Sequence, residues 1–228
     1  MPRRPNLSVN RHFTLGLLIL TMSTGCIDAA SYLALDRVFT GNMTGNILFI
    51  GFGLVGAGST PLLNNAVALA GFVLGSIIAG RVIDRNAPAG LPRSSRALLF
   101  GGAAIILGLG IVWAVVPTLT HVGLVTVTAL LAMVMGAQVA AVKPIGNSDV
   151  TTIVVTNTLA NLARNSRLAG GNSKNWFPRF AAIVAMSVGA AIGAGCVTLV
   201  GGAGALLAAA VIFTTGSVVL VWADRRGN

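Results

Sequence analysis

A short polar motif inside an apolar segment places the strongest constraint on the fold of this chain. Residues 38–54 contain the run F-T-G-N-M-T-G-N at positions 39–46. Its glycines weaken a helix, and its threonines and asparagines need hydrogen-bond partners wherever water is absent. A second apolar segment studded with threonine and asparagine, residues 149–163, follows about half a chain later. We therefore predict two short or broken helices.

Composition excludes an ordinary soluble domain. Of the 228 residues, 55% are hydrophobic and 9% are charged, and the mean hydropathy is +0.86. About a quarter of the residues of a soluble domain are charged. Several apolar runs here reach the ~20 residues that span a bilayer as a helix. The predicted fold class is an all-α membrane protein, with residues 1–228 forming a single membrane domain.

The placement of the fifteen Lys and Arg residues distinguishes two topologies. If neither broken segment crosses the membrane, six helices span it, and all basic residues except Arg37 lie on one side. If both crossed, residues 3–11 would lie opposite the basic loop 81–96. The first arrangement fits the positive-inside rule. We predict a multi-pass protein of the inner (plasma) membrane, with six spanning helices, two re-entrant helices and both termini in the cytoplasm.

The two broken segments also indicate an internal repeat. At one constant offset the first segment aligns with the second through three pairs, which are Val38 with Val150, Thr40 with Thr152 and Thr44 with Thr156. The halves would be residues 1–116 and 117–228, each with a spanning helix, a broken helix and two further spanning helices. The first helix of one half leaves the cytoplasm and its counterpart returns to it. The predicted repeat is therefore inverted in the membrane.

Glycine-interrupted segments at matching places in two halves are the best sequence indication of a transporter's binding site. The candidate substrate-binding residues are Asp28, Thr40, Asn42, Thr44, Asn46, Gln138, Thr152, Thr156 and Asn157. Most of these side chains are neutral, so they suit a polar uncharged or zwitterionic solute, or a dehydrated cation. The structural alternative is that threonine and asparagine hydrogen-bond neighbouring membrane helices without binding a solute.

Asp28 is the only acidic residue deep inside an apolar run. A carboxylate in hydrocarbon costs several kcal/mol unless it is paired, hydrated or protonated, so such residues mark functional sites by default. Asp28 is the candidate for coupling a proton or a cation to transport. The alternative is a neutral acid hydrogen-bonded to Tyr32, Thr24 or Gln138.

Other functional classes have little support in the sequence. His12 and His121 have no acidic partner nearby, and the chain contains no HExxH, G-x-S-x-G or phosphate-loop motif, so we expect no enzyme, cofactor or metal. Cys26 and Cys196 lack metal-ligand spacing and are expected as small packing residues. The net charge of +10 comes from short loops between apolar runs, which favours membrane topology over nucleic-acid binding.

Four stretches resemble the YoaK family of bacterial inner-membrane proteins, whose function is unassigned. They are G-C-I-D-A-A-S-Y-L from Gly25, V-F-T-G-N-M-T-G-N from Val38, G-A-Q-V-A-A from Gly136 and V-T-T-I-V-V-T-N-T-L-A-N-L-A from Val150. The resemblance covers nearly the whole chain. It implies a bacterial integral membrane protein and supplies no substrate or mechanism.

The leading hypothesis is a small secondary transporter in which the broken helices hold a small polar solute or cation near the middle of the membrane. Two alternatives are a non-transporting scaffold or accessory subunit and a passive channel. The expected partners are membrane lipid and the solute, with no nucleic acid, and the sequence leaves open whether the protein forms a homodimer.

Overall fold

The computed structural model describes residues 7–57, 61–84, 90–116, 118–146, 155–173 and 175–227, and all regular structure in these ranges is helical. The helices are α1 (Leu7–Ala34), α2 (Met43–Leu54), α3 (Leu62–Val82), α4 (Arg93–Val115), α5 (His121–Val142), α6 (Val155–Arg164) and α7 (Trp176–Gly227), with 3-10 turns at Lys143–Ile145 and Arg167–Ala169. Within the described ranges, five helices are long and apolar enough to cross a membrane, namely α1, α3, α4, α5 and α7. The predicted all-α membrane class is confirmed.

The first predicted break is present between α1 and α2. Helix α1 ends at Ala34, and Asp36 and Arg37 then adopt positive φ angles of 58° and 55°. Helix α2 has 12 residues, so it is about 18 Å long and shorter than the ~30 Å hydrocarbon core of a bilayer. In the second predicted segment, α6 has 10 residues, and residues 147–154, including Thr152, lie outside the described part of the chain.

Helix α7 contains a reversal of chain direction. Its 52 residues are interrupted at Gly201, where φ is 80° and ψ is 177°, a conformation that glycine adopts readily. Along α1, Met22 lies beside Gly189 and Cys26 beside Gly193, so residues 176–200 run parallel to α1. The non-helical backbone inside α7 is confined to residue 201.

The second part of α7 runs the other way along α1. Cys26 lies beside Ala205, and the Ser23 hydroxyl donates to the Ala209 carbonyl at 3.0 Å. Gly16, near the start of α1, lies against Leu220. Residues 202–227 are therefore antiparallel to α1 and to residues 176–200. The chain folds back at Gly201, and α1 packs against both arms.

Helix α1 and the first arm of α7 touch backbone to backbone. A Cβ on Gly25 would collide with the carbonyl oxygen of Met186, and a Cβ on Gly189 would collide with that of Met22. Each helix thus places a glycine against a carbonyl of the other. Such small residues allow membrane helices to approach closely.

The same reciprocal contact joins α3 and α5. Gly136 lies against the carbonyl oxygen of Phe72, and Gly75 lies against that of Met133. The α5 residues lie 111 positions after their counterparts in α1, and the α7 residues lie 114 positions after their counterparts in α3. One packing geometry is therefore used twice in the chain.

The interior and the outer surface differ as expected for a protein in lipid. Phe213, Leu131 and Met135 are fully buried between helices. On α3, Leu74 and Ile78 are 50% and 46% exposed, although both are large and apolar. An apolar outer surface of this kind is suited to contact with lipid chains.

The glycine contacts give a prediction for stability. Gly189→Ala should lower the melting temperature of the purified protein in detergent, because the added methyl group meets the rigid backbone of Met22. Gly195, in the same arm of α7, has open space where a Cβ would stand. Gly195→Ala should leave the melting temperature unchanged or raise it, because alanine favours a helix by about 1 kcal/mol over glycine. Equal destabilisation by both variants would contradict this account of the packing.

Candidate functional site

Asp28 anchors the non-helical residues that precede α2. Its side chain lies on α1 two turns before the helix ends, and the residue is 6% exposed. Its Oδ1 atom accepts hydrogen bonds from the Thr40 N–H at 3.0 Å, the Gly41 N–H at 2.7 Å and the Thr40 hydroxyl at 3.4 Å. Backbone N–H groups outside a helix have no local partner, so the carboxylate supplies one. The hydrogen-bond partners of Asp28 are therefore Thr40 and Gly41, and not Tyr32, Thr24 or Gln138, which were the partners expected if Asp28 were a neutral structural acid.

Gly41 allows the loop to approach α1 this closely. A Cβ at this position would lie 3.1 Å from the Thr24 methyl group and 3.2 Å from Asp28 Oδ2. A larger residue would therefore require the loop or the Thr24 and Asp28 side chains to shift by a few tenths of an ångström. The first glycine of the motif is thus explained by contact with α1.

The two asparagines of the motif hold its backbone. Asn46 is fully buried, and its Nδ2 donates to the Phe39 carbonyl at 2.6 Å while its Oδ1 accepts from the Phe39 N–H at 3.0 Å. Asn42 caps α2, because its Oδ1 accepts from the Gly45 N–H at 3.4 Å. The motif therefore builds a fixed entry into α2.

A cavity of about 440 Å³ lies between α1, the entry to α2, the described start of α6 and the first arm of α7. Its walls are formed by Gly25, Asp28, Ala29, Tyr32, Leu33, Phe39, Asn42, Val155, Thr156, Met186, Ala190 and Ala194. Asp28, Asn42 and Thr156, three of the predicted substrate-binding residues, therefore line the same cavity. Asp28 is the only charged residue among these described wall residues.

The structure places the other predicted site residues away from this wall. Thr40 and Asn46 are buried and engaged with Asp28 and Phe39. Thr44 and Asn157 are exposed and do not line the cavity. Their predicted role in binding stays a prediction, as does that of Thr152.

Gln138 lies between α5 and α1 and is 2% exposed. Its Nε2 donates to the Thr24 hydroxyl at 3.4 Å, whereas its Oε1 is buried without a hydrogen-bond partner among the described residues. It does not line the cavity. Gln138 therefore links the two halves of the chain close to the Asp28 anchor.

Most of the residues that line the cavity were not among the site residues predicted from the sequence. Tyr32 stacks on Phe39 with ring centroids 4.9 Å apart, and Met186 and Ala190 complete the opposite side. Tyr32 lies one turn after Asp28 on the same face of α1, which was a usable signal. Met186 and Ala190 are also one turn apart, but apolar spacing of that kind is typical of any packed membrane helix.

The described residues contain no group of three or more His, Cys, Asp or Glu side chains that could hold a metal ion. The chemistry of the cavity therefore depends on one carboxylate, an amide, two hydroxyls and apolar surface. This set can bind a solute by hydrogen bonds and charge.

Long apolar helices around a partly polar interior define this chain as a multi-pass helical membrane protein. Residues 16–220 match the family described as "Protein of unknown function (DUF1275)", and the chain belongs to that family. It is also 33% identical over 177 residues to the "UPF0700 transmembrane protein YoaK" of Bacillus subtilis (strain 168), covering 75% of this chain and 76% of that protein. The resemblance to the YoaK family is thereby confirmed. No solved structure matches the chain.

The Asn46 contacts give a second prediction. Asn46→Ala should lower the free energy of unfolding by about 1–3 kcal/mol, because it leaves the part-buried Phe39 N–H and carbonyl groups unpaired. Thr44→Ala, an exposed change in the same helix, serves as the control and should be close to neutral. Denaturant unfolding in detergent, followed by tryptophan fluorescence, measures both. An Asn46→Ala variant as stable as Thr44→Ala would refute the structural role of this amide.

Proposed function

We propose that the protein is a small secondary transporter of the bacterial inner membrane that carries a small polar solute or cation. The observation that carries this proposal is the cavity shared by Asp28, Asn42 and Thr156. These residues come from a spanning helix and from both broken segments, the arrangement expected at a transporter's central site.

The six-span topology is supported by the reversal at Gly201. The two arms of α7, residues 176–200 and 202–227, run in opposite directions, and each is long enough to cross the membrane. Together with α1, α3, α4 and α5 they make six crossings. The parallel pairs, α1 with the first arm of α7 and α3 with α5, fit the alternating directions that this topology requires. The distribution of Lys and Arg then favours cytoplasmic termini.

The inverted repeat is supported by two features. The reciprocal glycine contacts recur at similar offsets of 111 and 114 positions. Thr44 of α2 and Thr156 of α6 are separated by a similar offset of 112 positions. Rocking of one half against the other would then open the cavity alternately to each side.

The cavity favours a cationic or neutral solute over an anion. Its described wall contains the Asp28 carboxylate and no Lys or Arg. The carboxylate would attract a solute cation or couple a proton or cation to transport. Apolar walls from Phe39, Met186 and Val155 would exclude water around a bound solute.

Transport of a panel of small amines, amino acids and neutral metabolites into proteoliposomes, with and without a pH gradient, tests the proposal. Asp28→Asn should abolish the stimulation by the gradient, because the amide is uncharged and does not take up or release a proton. Its side-chain oxygen can still accept from the Thr40 and Gly41 N–H groups, so the loop should remain in place. Asp36→Asn is the matched control, because Asp36 accepts from Asn64 Nδ2 at 3.0 Å and does not line the cavity.

Absence of flux for the whole panel would count against a transporter. Gradient-driven uptake that is unchanged in Asp28→Asn would remove this residue from the coupling mechanism. Flux that never responds to a gradient would instead indicate a passive channel.

Cysteine labelling tests the topology. In a variant with Cys26→Ala and Cys196→Ala, Leu168→Cys should react with an impermeant maleimide only after the cytoplasmic side is opened, because Leu168 is fully exposed between α6 and α7. Val55→Cys, just after α2 and 79% exposed, should react in intact cells whose outer layers are permeable to the reagent. Labelling of both positions from the same side would exclude the six-span arrangement.

A second candidate is a non-transporting scaffold or accessory subunit. The observation that favours it is that Asp28, Thr40 and Asn46 all hold the entry to α2, which a purely structural motif would also require. Under this alternative, polar-to-apolar substitutions at Thr44 or Asn46 would damage folding or assembly and not flux, and a stable partner would co-purify.

A further inference from the structure

A second apolar groove lies between α6 and the start of α7. It has a volume of about 560 Å³ and is lined by Leu159, Leu162, Ala163, Ser166, Leu168, Ala169, Ser173 and Trp176. None of these residues lines the Asp28 cavity. The groove is therefore a separate site, and its properties do not depend on the proposed transport function.

The groove presents large apolar side chains at the surface. Among its lining residues, Leu168 is 101% exposed and Trp176 is 52% exposed; Phe177, which follows Trp176 and lies outside the lining, is 62% exposed. Trp176 and Phe177 stand at the first turn of α7, where an apolar membrane helix begins. Tryptophan at the end of a spanning helix is typical of the interface between headgroups and acyl chains.

The surroundings of the groove are basic. Arg164 and Arg167 are exposed and adjoin the lining residues Ala163 and Leu168 in sequence. Arg179 Nη1 donates to the Asn161 carbonyl at 3.4 Å, which places this guanidinium group against α6. The sequence from residue 155 to residue 180 contains no Asp or Glu. Arg164 and Arg167 therefore have no acidic neighbour in this stretch of sequence.

We propose that this groove binds an anionic phospholipid, with an acyl chain along Leu162, Leu168 and Trp176 and the phosphate beside Arg164 and Arg167. Apolar and aromatic side chains next to arginines at a membrane surface are the combination that attracts anionic lipids. A soluble acidic partner would satisfy the arginines but would leave Leu168 and Trp176 without apolar contact. In the six-span topology the bound lipid belongs to the cytoplasmic leaflet.

Quenching of Trp176 by brominated lipids tests the proposal on the full chain in proteoliposomes. The difference in fluorescence between the wild type and Trp176→Phe isolates this residue from the other two tryptophans. Brominated phosphatidylglycerol should quench Trp176 at a lower mole fraction than brominated phosphatidylcholine. The preference should shrink as salt is raised, because exposed charges are screened.

Arg164→Gln combined with Arg167→Gln should reduce the preference by about fivefold per arginine. The matched control is Arg81→Gln with Arg93→Gln, which removes two exposed arginines at the ends of α3 and α4 and should keep the preference. Equal quenching by both lipids, or an equal loss in the control variant, would overturn the proposal. Displacement of phosphatidylglycerol by millimolar inorganic phosphate would also overturn it, because the site would then bind the phosphate group without needing the acyl chains.

Discussion

One carboxylate supports the geometry on which the rest of the candidate site depends. Between α1 and α2 the backbone leaves the helical conformation inside an apolar protein, where unpaired N–H groups are costly. Asp28 Oδ1 accepts two of those N–H groups and the Thr40 hydroxyl. Without this acceptor, burial of the loop next to α1 would leave two N–H groups unpaired, and the start of α2 would no longer be held beside the cavity.

The motif after Asp28 completes what the carboxylate starts. Gly41 permits close approach to α1, Asn42 caps α2, and Asn46 pairs with both polar groups of the Phe39 backbone. Each residue type is therefore needed for the backbone itself, before any solute is considered. The cavity lies beside this entry, between it and the first arm of α7.

The helical architecture could be predicted from sequence because apolar runs of about 20 residues have few other stable forms. The short α2 followed from glycine, threonine and asparagine within such a run. The roles of individual residues were harder to predict. Asp28 is bound by backbone N–H groups, which every residue carries, so the sequence gives no sign of which ones it meets.

The apolar residues of the cavity wall also could not be predicted from the sequence, for a physical reason. Met186 and Ala190 have the same spacing as residues that face another helix or lipid, and only the position of α6 and the α2 entry makes them wall residues. Asn46 resembled a solute ligand because a buried amide can bind a solute or a backbone, and the sequence does not say which is nearer.

The reciprocal glycine contacts limit how the molecule can move. Where the backbones of two helices are in contact, no side chain at the contact can change rotamer. The pair of α1 with the first arm of α7, and the pair of α3 with α5, should therefore each move as one rigid unit. Sliding of one helix along the other within a pair would drive carbonyl oxygens into Cα atoms. A large rearrangement should therefore take place at other contacts, such as those of Phe213 and Leu207 in the second arm of α7 with Gly102 and Gly110 of α4, where side chains can repack.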